Sequence, residues 1–308
     1  MTKVFIDGKA GTTGLRIYER LGERHDIELI TLSEELRKDP DARRDALNRA
    51  DVVFLCLPDD AAIEAAAMVE NPATVVIDTS TAHRTADGWV YGFPEIGGLR
   101  EKIASSKRIA NPGCHASGFV SLAAPLVSAG LIAPDAKLTC FSLTGYSGGG
   151  KKMIADYETP ERVDALAAPR IYGISQQHKH LPEMAKISGL TASPVFSPIV
   201  SSYYAGMEVV IPLFADQVNG TVDDIKAVYR QAYAGPVVRY AEGTDEGGFL
   251  SAGTFAGRDD MEISVYGNDE RITLVSRFDN LGKGASGSAI QNMNIVLGAD
   301  ETAGLVTG

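Results

Sequence analysis

Cys114 is the residue best placed to do chemistry. It lies in Asn111-Pro112-Gly113-Cys114-His115-Ala116-Ser117-Gly118, at the entry to a helix. A thiolate there faces unpaired amide hydrogens and the positive end of the helix dipole, and both lower its pKa. Pro112 and Gly113 hold the turn, and the small residues that follow leave room for a substrate. The chemistry implied is covalent catalysis by an activated thiol. A free cysteine is more often a buried apolar side chain. Cys56, inside Phe54-Leu55-Cys56-Leu57, and Cys140, inside a strand pattern, fit that description; Cys114 does not. A nucleophilic thiol also needs a proton acceptor. His178 and His180 flank Lys179 just before Pro182-Glu183, on a loop leading into a helix with proline in its first turn. Zinc binding is the other use of such a pair, but no third ligand stands at a persuasive spacing, so no metal is expected.

A second constellation is Gly8, Gly11 and Gly14, with Thr12 and Thr13 between the last two. A glycine turn directly after a strand lets backbone amides and a helix N-terminus meet a pyrophosphate, because no Cβ stands in the way. The spacing G-x-x-G-x-x-G is a variant of the usual dinucleotide fingerprint. The second strand ends Ile30-Thr31-Leu32-Ser33, with Glu34 and Glu35 one step later. Ser33 could hydrogen-bond a 2′-phosphate, and Arg37 or Lys38 could neutralise it, which leans the cofactor towards NADP. The alternative is that Arg37, Lys38, Arg43 and Arg44 form a solvated helix face.

Elements that would position these groups follow from periodicity. The first ~115 residues read as repeated βα units. Strands are expected at Lys3–Asp7, Ile27–Leu32, Val52–Leu57 and Val75–Asp78, with helices over 15–24, 36–49 and from Pro58 to about Val69. Val52–Leu57 is a continuous apolar run, the mark of a strand buried on both faces of a parallel sheet. Beyond Gly113 the texture changes. A helix pattern covers 116–130, ending at Gly130, and a strand covers 137–145; the glycine-rich loop Ser147–Lys152 comes next. Strand patterns follow at 207–214, 253–258, 261–266 and 271–279, then a last helix over 285–297. The expected class is α/β with a doubly wound parallel sheet. A dinucleotide-binding domain is expected over 1–115 and a catalytic and oligomerisation domain over 116–284, with 285–308 packing back on the first.

With 308 residues, 44% hydrophobic and 22% charged, the chain is long enough for two domains of ~100–200 residues each. A formal net charge of −11 disfavours a general nucleic-acid or acidic-membrane surface, though a local basic pocket can still hold an anionic metabolite. No apolar run approaches the ~20 residues of a membrane-spanning helix, and Met1–Asp7 lacks the pattern of a signal peptide. Three scattered cysteines fit a reducing, cytoplasmic compartment.

The Cys114 segment resembles that of the N-acetyl-γ-glutamyl-phosphate reductases of arginine biosynthesis, in particular their shorter form. The resemblance extends over nearly the whole chain. It includes the glycine turn, Leu57-Pro58-Asp59-Asp60, Asp78-Thr79-Ser80-Thr81-Ala82-His83-Arg84, Tyr91-Gly92-Phe93-Pro94-Glu95, Ser147–Lys151, His178-Lys179-His180-Leu181-Pro182-Glu183 and Lys283–Asn294. It implies a Rossmann-like NADP(H) domain and an α+β catalytic domain of the semialdehyde and glyceraldehyde-phosphate dehydrogenase type, in a homodimer or homotetramer. It also implies that Cys114 is the catalytic thiol and that the histidine motif lies in the active site; of its two rings, His180 is taken as the acid/base and His178 as second choice. His115 has an aromatic counterpart in the longer form and is given no shared catalytic role. An acyl phosphate bearing an α-carboxylate needs anion clamps, and the candidates are Arg84 for the carboxylate and Ser147, Gly148 and Lys151 for phosphate. Gln291 and Asn292 are candidates for the nicotinamide carboxamide. The competing readings are an aspartate-semialdehyde dehydrogenase, a reductase of carrier-linked glutamyl or aminoadipyl phosphates, a noncatalytic NADP-binding redox sensor and a cysteine hydrolase.

Overall fold

Alternation of side chains across a strand decides how the N-terminal half is built. In the computed structural model, which describes residues 1–308, the strands are β1 (Thr2–Asp7), β2 (Ile27–Ile30), β3 (Val52–Leu55), β4 (Val75–Asp78), β5 (Val90–Tyr91) and β6 (Arg108–Ala110). They form one parallel sheet in the order β2-β1-β3-β4-β6-β5. Val4, Ile6, Val52, Phe54 and Ile77 point to one face, against α1 (Thr12–Gly22) and the C-terminal helix Gly287–Leu297. Phe5, Val53, Leu55 and Val76 point to the other, against α2 (Pro40–Arg49) and α3 (Asp59–Ala67). A sheet apolar on both faces must be covered on both, and α4 (Leu99–Ser105) adds Ile103 to the first side. The unit so formed comprises residues 1–94, 98–112 and 285–305.

The expected helix over 36–49 begins at Pro40, because Asp39 caps it by accepting a hydrogen bond from the Ala42 amide at 2.8 Å; residues 34–38 form turns instead.

A second unit comprises residues 95–97, 113–284 and 306–308. Its helices are α5 (Cys114–Ser128), α6 (Gly150–Glu158), α7 (Leu181–Ser188) and α8 (Val222–Ala232). Its strands are β7 (Thr139–Gly145), β8 (Arg170–Ile171), β9 (Val195–Ser201), β10 (Met207–Phe214), β11 (Val238–Tyr240), β12 (Met261–Gly267) and β13 (Arg271–Phe278). They make a mixed sheet in the order β11-β12-β13-β10-β7-β9-β8. The helices α5 and α8 cover one face, and Val209, Ile211 and Leu213 of β10 are buried beneath them. Phe141, Val195 and Phe214 project from the other face, 46%, 58% and 64% exposed.

Two expectations in this unit are corrected. Residues 253–258 form turns rather than a strand, closed by short bonds such as Ala256 N–H to Gly253 O at 3.0 Å, with Gly257 at a φ of +83°. The glycine-rich loop 147–152 is instead a short 3₁₀ turn, Tyr146–Gly149, running into α6. No helix is long and apolar enough to cross a membrane.

Candidate active site

Cys114 opens α5 at its first helical position, after Gly113 in extended conformation. No side-chain cap hydrogen bond is made at that end, so Cys114 stands at an uncapped helix N-terminus. Residues 115–124 are all buried, whereas Cys114 is half-buried. The helix thus drives into the core and leaves Cys114 half-buried at its start. Two long-range contacts fix the turn. Glu183, itself buried, accepts the Gly113 N–H at 2.8 Å, and the Gly284 backbone lies against the Cys114 side chain. A Cβ on Gly284 would stand 2.9 Å from Cys114 Cβ, so no larger residue fits there without moving one of them.

The histidine motif reaches this helix. α7 packs on α5, and the His115 ring lies 5.7 Å from that of His178 and 5.6 Å from that of His180. His178 and His180 are 4.8 Å apart. His178 Nδ1 accepts the His180 backbone N–H at 3.2 Å, which leaves the proton of a neutral His178 ring on Nε2. Burial, and after it the charge of Lys179, lowers the His178 pKa, so the neutral ring persists at mildly acidic pH. His115 is of a different kind. Its Nδ1 meets Ser142 Oγ and its Nε2 meets Tyr172 Oη, each at 2.6 Å. Burial and the neighbouring His178 push its pKa down to about 3, so it is a neutral strut.

Tyr172 was not singled out from sequence. Its hydroxyl is held protonated mainly by burial and further by the Cys114 charge. Burial pushes Cys56 up to about 12 and raises Cys140 as well, so both remain thiols with no nucleophilic character.

The candidate anion clamps fall in different places. Ser147 is buried, and its Oγ accepts from Asn280 Nδ2 at 2.9 Å. Asn280 Oδ1 in turn accepts the Gly206 amide at 3.0 Å. Gly148 follows in the same 3₁₀ turn, while Lys151 is exposed on the first turn of α6. Arg84, in the N-terminal unit, donates from Nε to Asn111 O at 3.0 Å and from Nη2 to Thr79 O at 3.1 Å. Those bonds tie the segments after β4 and β6 together.

The N-terminal unit holds a cleft of about 600 Å³ lined by Gly8, Lys9, Leu32, Arg37, Lys38 and Arg43, among others. Gly8 has a φ of +87°, and a Cβ there would stand 2.2 Å from Cys56 O; one on Gly14 would stand 2.7 Å from Gly8 O. Both close approaches require glycine, and they bring the turn hard against the start of α1. Gly11 is the N-cap of α1, Thr12 and Thr13 open it, and no side chain caps it. Its first amides therefore remain for an anion. Arg43 clamps Asp7 through Nη2 at 2.7 Å and Nε at 3.2 Å, neutralising a buried carboxylate that would repel a pyrophosphate. It is not part of a solvated helix face, whereas Arg44 pairs with Glu70 at the surface. Arg37 pairs with Glu34 at 2.9 Å, and the Ser33 hydroxyl accepts the Leu36 amide at 3.4 Å. This cradle fits a dinucleotide. Asn292 is buried in the C-terminal helix; its Nδ2 donates to Gly92 O at 2.9 Å, and its Oδ1 has no hydrogen-bond partner. Gln291 turns to Glu301 at 2.6 Å.

Residues 3–106 match the family described as semialdehyde dehydrogenase, NAD binding domain, and residues 114–280 match semialdehyde dehydrogenase, dimerisation domain. Among solved structures, aspartate semialdehyde dehydrogenase II of Vibrio cholerae complexed with ASA aligns with a TM-score of 0.73 at 16% identity, over 96% of this chain and 98% of that one. The Candida albicans enzyme with NADP aligns at 0.68 and 16%, over 97% and 99%. At such identity the likeness speaks for the fold. Closer in sequence are N-acetyl-γ-glutamyl-phosphate reductase 2 of Nostoc sp., 44% identical over 98% of this chain and 99% of its own length, and the Brucella ovis N-acetyl-γ-glutamyl-phosphate reductase, 44% identical over 96% and 99%. That identity, sustained from the glycine turn to the C-terminal helix, makes the chain a member of the N-acetyl-γ-glutamyl-phosphate reductase family.

Proposed function

We propose that the chain catalyses the NADPH-dependent reductive dephosphorylation of N-acetyl-L-glutamyl 5-phosphate to N-acetyl-L-glutamate 5-semialdehyde, through a thioester on Cys114. The observation that carries the reading is the half-buried thiol at the uncapped start of α5, with both histidines of the His-x-His motif brought to that helix. The Cys114 thiolate attacks the acyl carbon, a C–S bond forms, and the C–O bond to phosphate breaks. The proton leaving the thiol goes to His180 and from there to the departing phosphate. Gly8, Gly11, Thr12, Thr13 and Gly14 would hold NADPH, with Ser33 and Arg37 at its 2′-phosphate and Asn292 towards the nicotinamide, and the bound cofactor would supply the hydride to the thioester carbon. The resulting hemithioacetal oxyanion collapses with cleavage of the C–S bond, releasing the aldehyde and restoring the thiolate. His178, with its proton on Nε2, is suited to donate to the developing oxyanion.

Ser147 and Gly148 offer the phosphate a turn braced by Asn280, and Lys151 adds charge from α6. Arg84 is assigned to the substrate α-carboxylate. The dinucleotide-binding role belongs to residues 1–115 with the C-terminal segment, and the catalytic and oligomerisation role to 116–284. The assembly is a homodimer or homotetramer, and three cysteines outside any disulfide suit a reducing cytoplasm.

The test is phosphate-dependent reduction of NADP with N-acetylglutamate semialdehyde, alongside Cys114→Ser. Turnover that needs phosphate and falls to background in the variant is expected. With acyl phosphate and no cofactor, mass spectrometry should find one acyl group on the protein and none on the variant. No adduct on the unaltered protein removes the thioester. Turnover of aspartate semialdehyde instead keeps the chemistry and changes the substrate.

A further inference from the structure

Behind the nucleophile lies an ion pair that the reaction does not use. Lys283 Nζ, fully buried, donates to both carboxylate oxygens of Glu95 at 2.9 and 2.8 Å; the Glu95 side chain is 6% exposed. Both residues belong to the C-terminal unit. An ion pair this deep costs desolvation that two apolar side chains of like volume would avoid. In return it gives a short charge-assisted link between two segments, one ammonium shared by both carboxylate oxygens.

That link acts on the Cys114 floor. Lys283 sits within a single π-helical turn, Gly282–Ser286, and the next residue is Gly284, whose backbone touches Cys114. The same turn is pinned from beneath. The Gly282 and Gly284 amides both donate to Asp279 O at 3.0 Å, and the Asp279 carboxylate accepts the Leu281 amide at 2.6 Å and the Gly257 amide at 2.5 Å. Gly282 is wedged too, since a Cβ there would fall 1.9 Å from Arg258 O. Every one of these restraints holds the turn to its own strand end or to the 257–258 turns. The Lys283–Glu95 pair alone among them ties it to the segment after Pro94.

From this we infer that Lys283 and Glu95 are positioning residues for the nucleophile: their buried pair fixes the turn whose Gly284 backbone packs against Cys114 Cβ and so sets where the thiol-bearing start of α5 stands. Neither touches substrate in this scheme. The inference rests on Cys114 being the nucleophile.

Two variants test it. Glu95→Leu combined with Lys283→Met removes both charges together and leaves neither buried alone. Gly284→Ala keeps the pair and inserts a methyl into the contact with Cys114. For each, kcat and the pH profile of Cys114 alkylation by iodoacetamide are measured, with NADP binding and the circular dichroism spectrum as checks on folding. The expected result for a folded variant is a kcat lower by about 10–100-fold, the scale of a misplacement near 1 Å, with NADP binding unchanged. The alkylation profile should move to higher pH, because the thiolate has left the helix-end amides. A merely structural pair would lower thermal stability and leave that profile where it was. Should the double variant not fold, Gly284→Ala decides, and wild-type alkylation in it overturns the inference. Unaltered protein whose Cys114 alkylates no faster than a free thiol brings down the thioester reading as well, whereas a reactive Cys114 unaffected by either variant brings down only the positioning role.

Discussion

His115, next to Cys114, shows how a side chain in the candidate site can matter through its packing and hydrogen bonds. Its ring fills the space between α5 and the histidine motif, and its two nitrogens satisfy Ser142 and Tyr172. Replacing it with Phe would leave both hydroxyls without that partner, at about 2–4 kcal/mol for two lost buried hydrogen bonds. The pH dependence distinguishes this role from others. The folded ring takes up a proton only near pH 3, against 6.5 for an ordinary histidine. Stability from the neutral ring is therefore complete above pH 6.5 and is lost as pH falls from 6.5 towards 3, by about 1.4 kcal/mol per pH unit. His115→Phe lacks that loss. Urea unfolding at pH 7 and pH 5 should show the gap between wild type and variant narrowing in acid, and parallel curves would show that the ring is not buried neutral.

At the scale of elements, α5 carries Cys114, and its seating depends on Gly118. A Cβ there would stand 2.3 Å from Val209 Cγ2 and 2.9 Å from Ser276 Oγ, so the helix lies directly on β10 and β13. Gly118→Ala gains up to about 1 kcal/mol in helix propensity and loses more to overpacking. A net destabilisation of about 1–3 kcal/mol and a lowered kcat are expected, read by thermal unfolding and steady-state rates; an unchanged midpoint would mean that the helix lifts freely from the sheet. How much was legible beforehand follows the same physics. Strands β1, β3 and β4 stand out because burial on both faces makes them continuous apolar runs. Pro198 interrupts β9, and β5 and β6 are too short for a period to show. The α8 helix does carry a local signal, since Thr221 and Asp224 form a reciprocal cap at its start. Cys114 could be found from its place at a helix entry. Glu183, Tyr172, Asn280 and Lys283 could not, because their partners lie 70, 57, 133 and 188 residues away in the chain.

At the scale of the molecule, the second sheet is apolar on a face that its own chain leaves uncovered. One face is covered by α5 and α8, and the other shows Phe141, Val195 and Phe214 to solvent, with Leu143, Ile199, Val210 and Pro212 partly buried among them. Register makes these neighbours rather than scattered side chains: Phe141 pairs with Val210 across one ladder and with Ser197 across the other, and Val195 pairs with Thr139. An apolar patch this continuous is costly in water, and a sheet face is self-complementary to its own copy about a two-fold axis. The match of residues 114–280 to a dimerisation domain points to the same occupant. Phe141→Asp combined with Val195→Asp would bury carboxylates in that contact, weakening association by about 100-fold or more. Neither residue lies in the ring cluster around Cys114, so folding and NADP binding should survive. Sedimentation equilibrium is expected to show the double variant at half the mass of the wild type or lower. A variant of undiminished mass would move the interface off this sheet, and an unaltered protein that sediments as one chain would leave the exposed apolar face to a different partner.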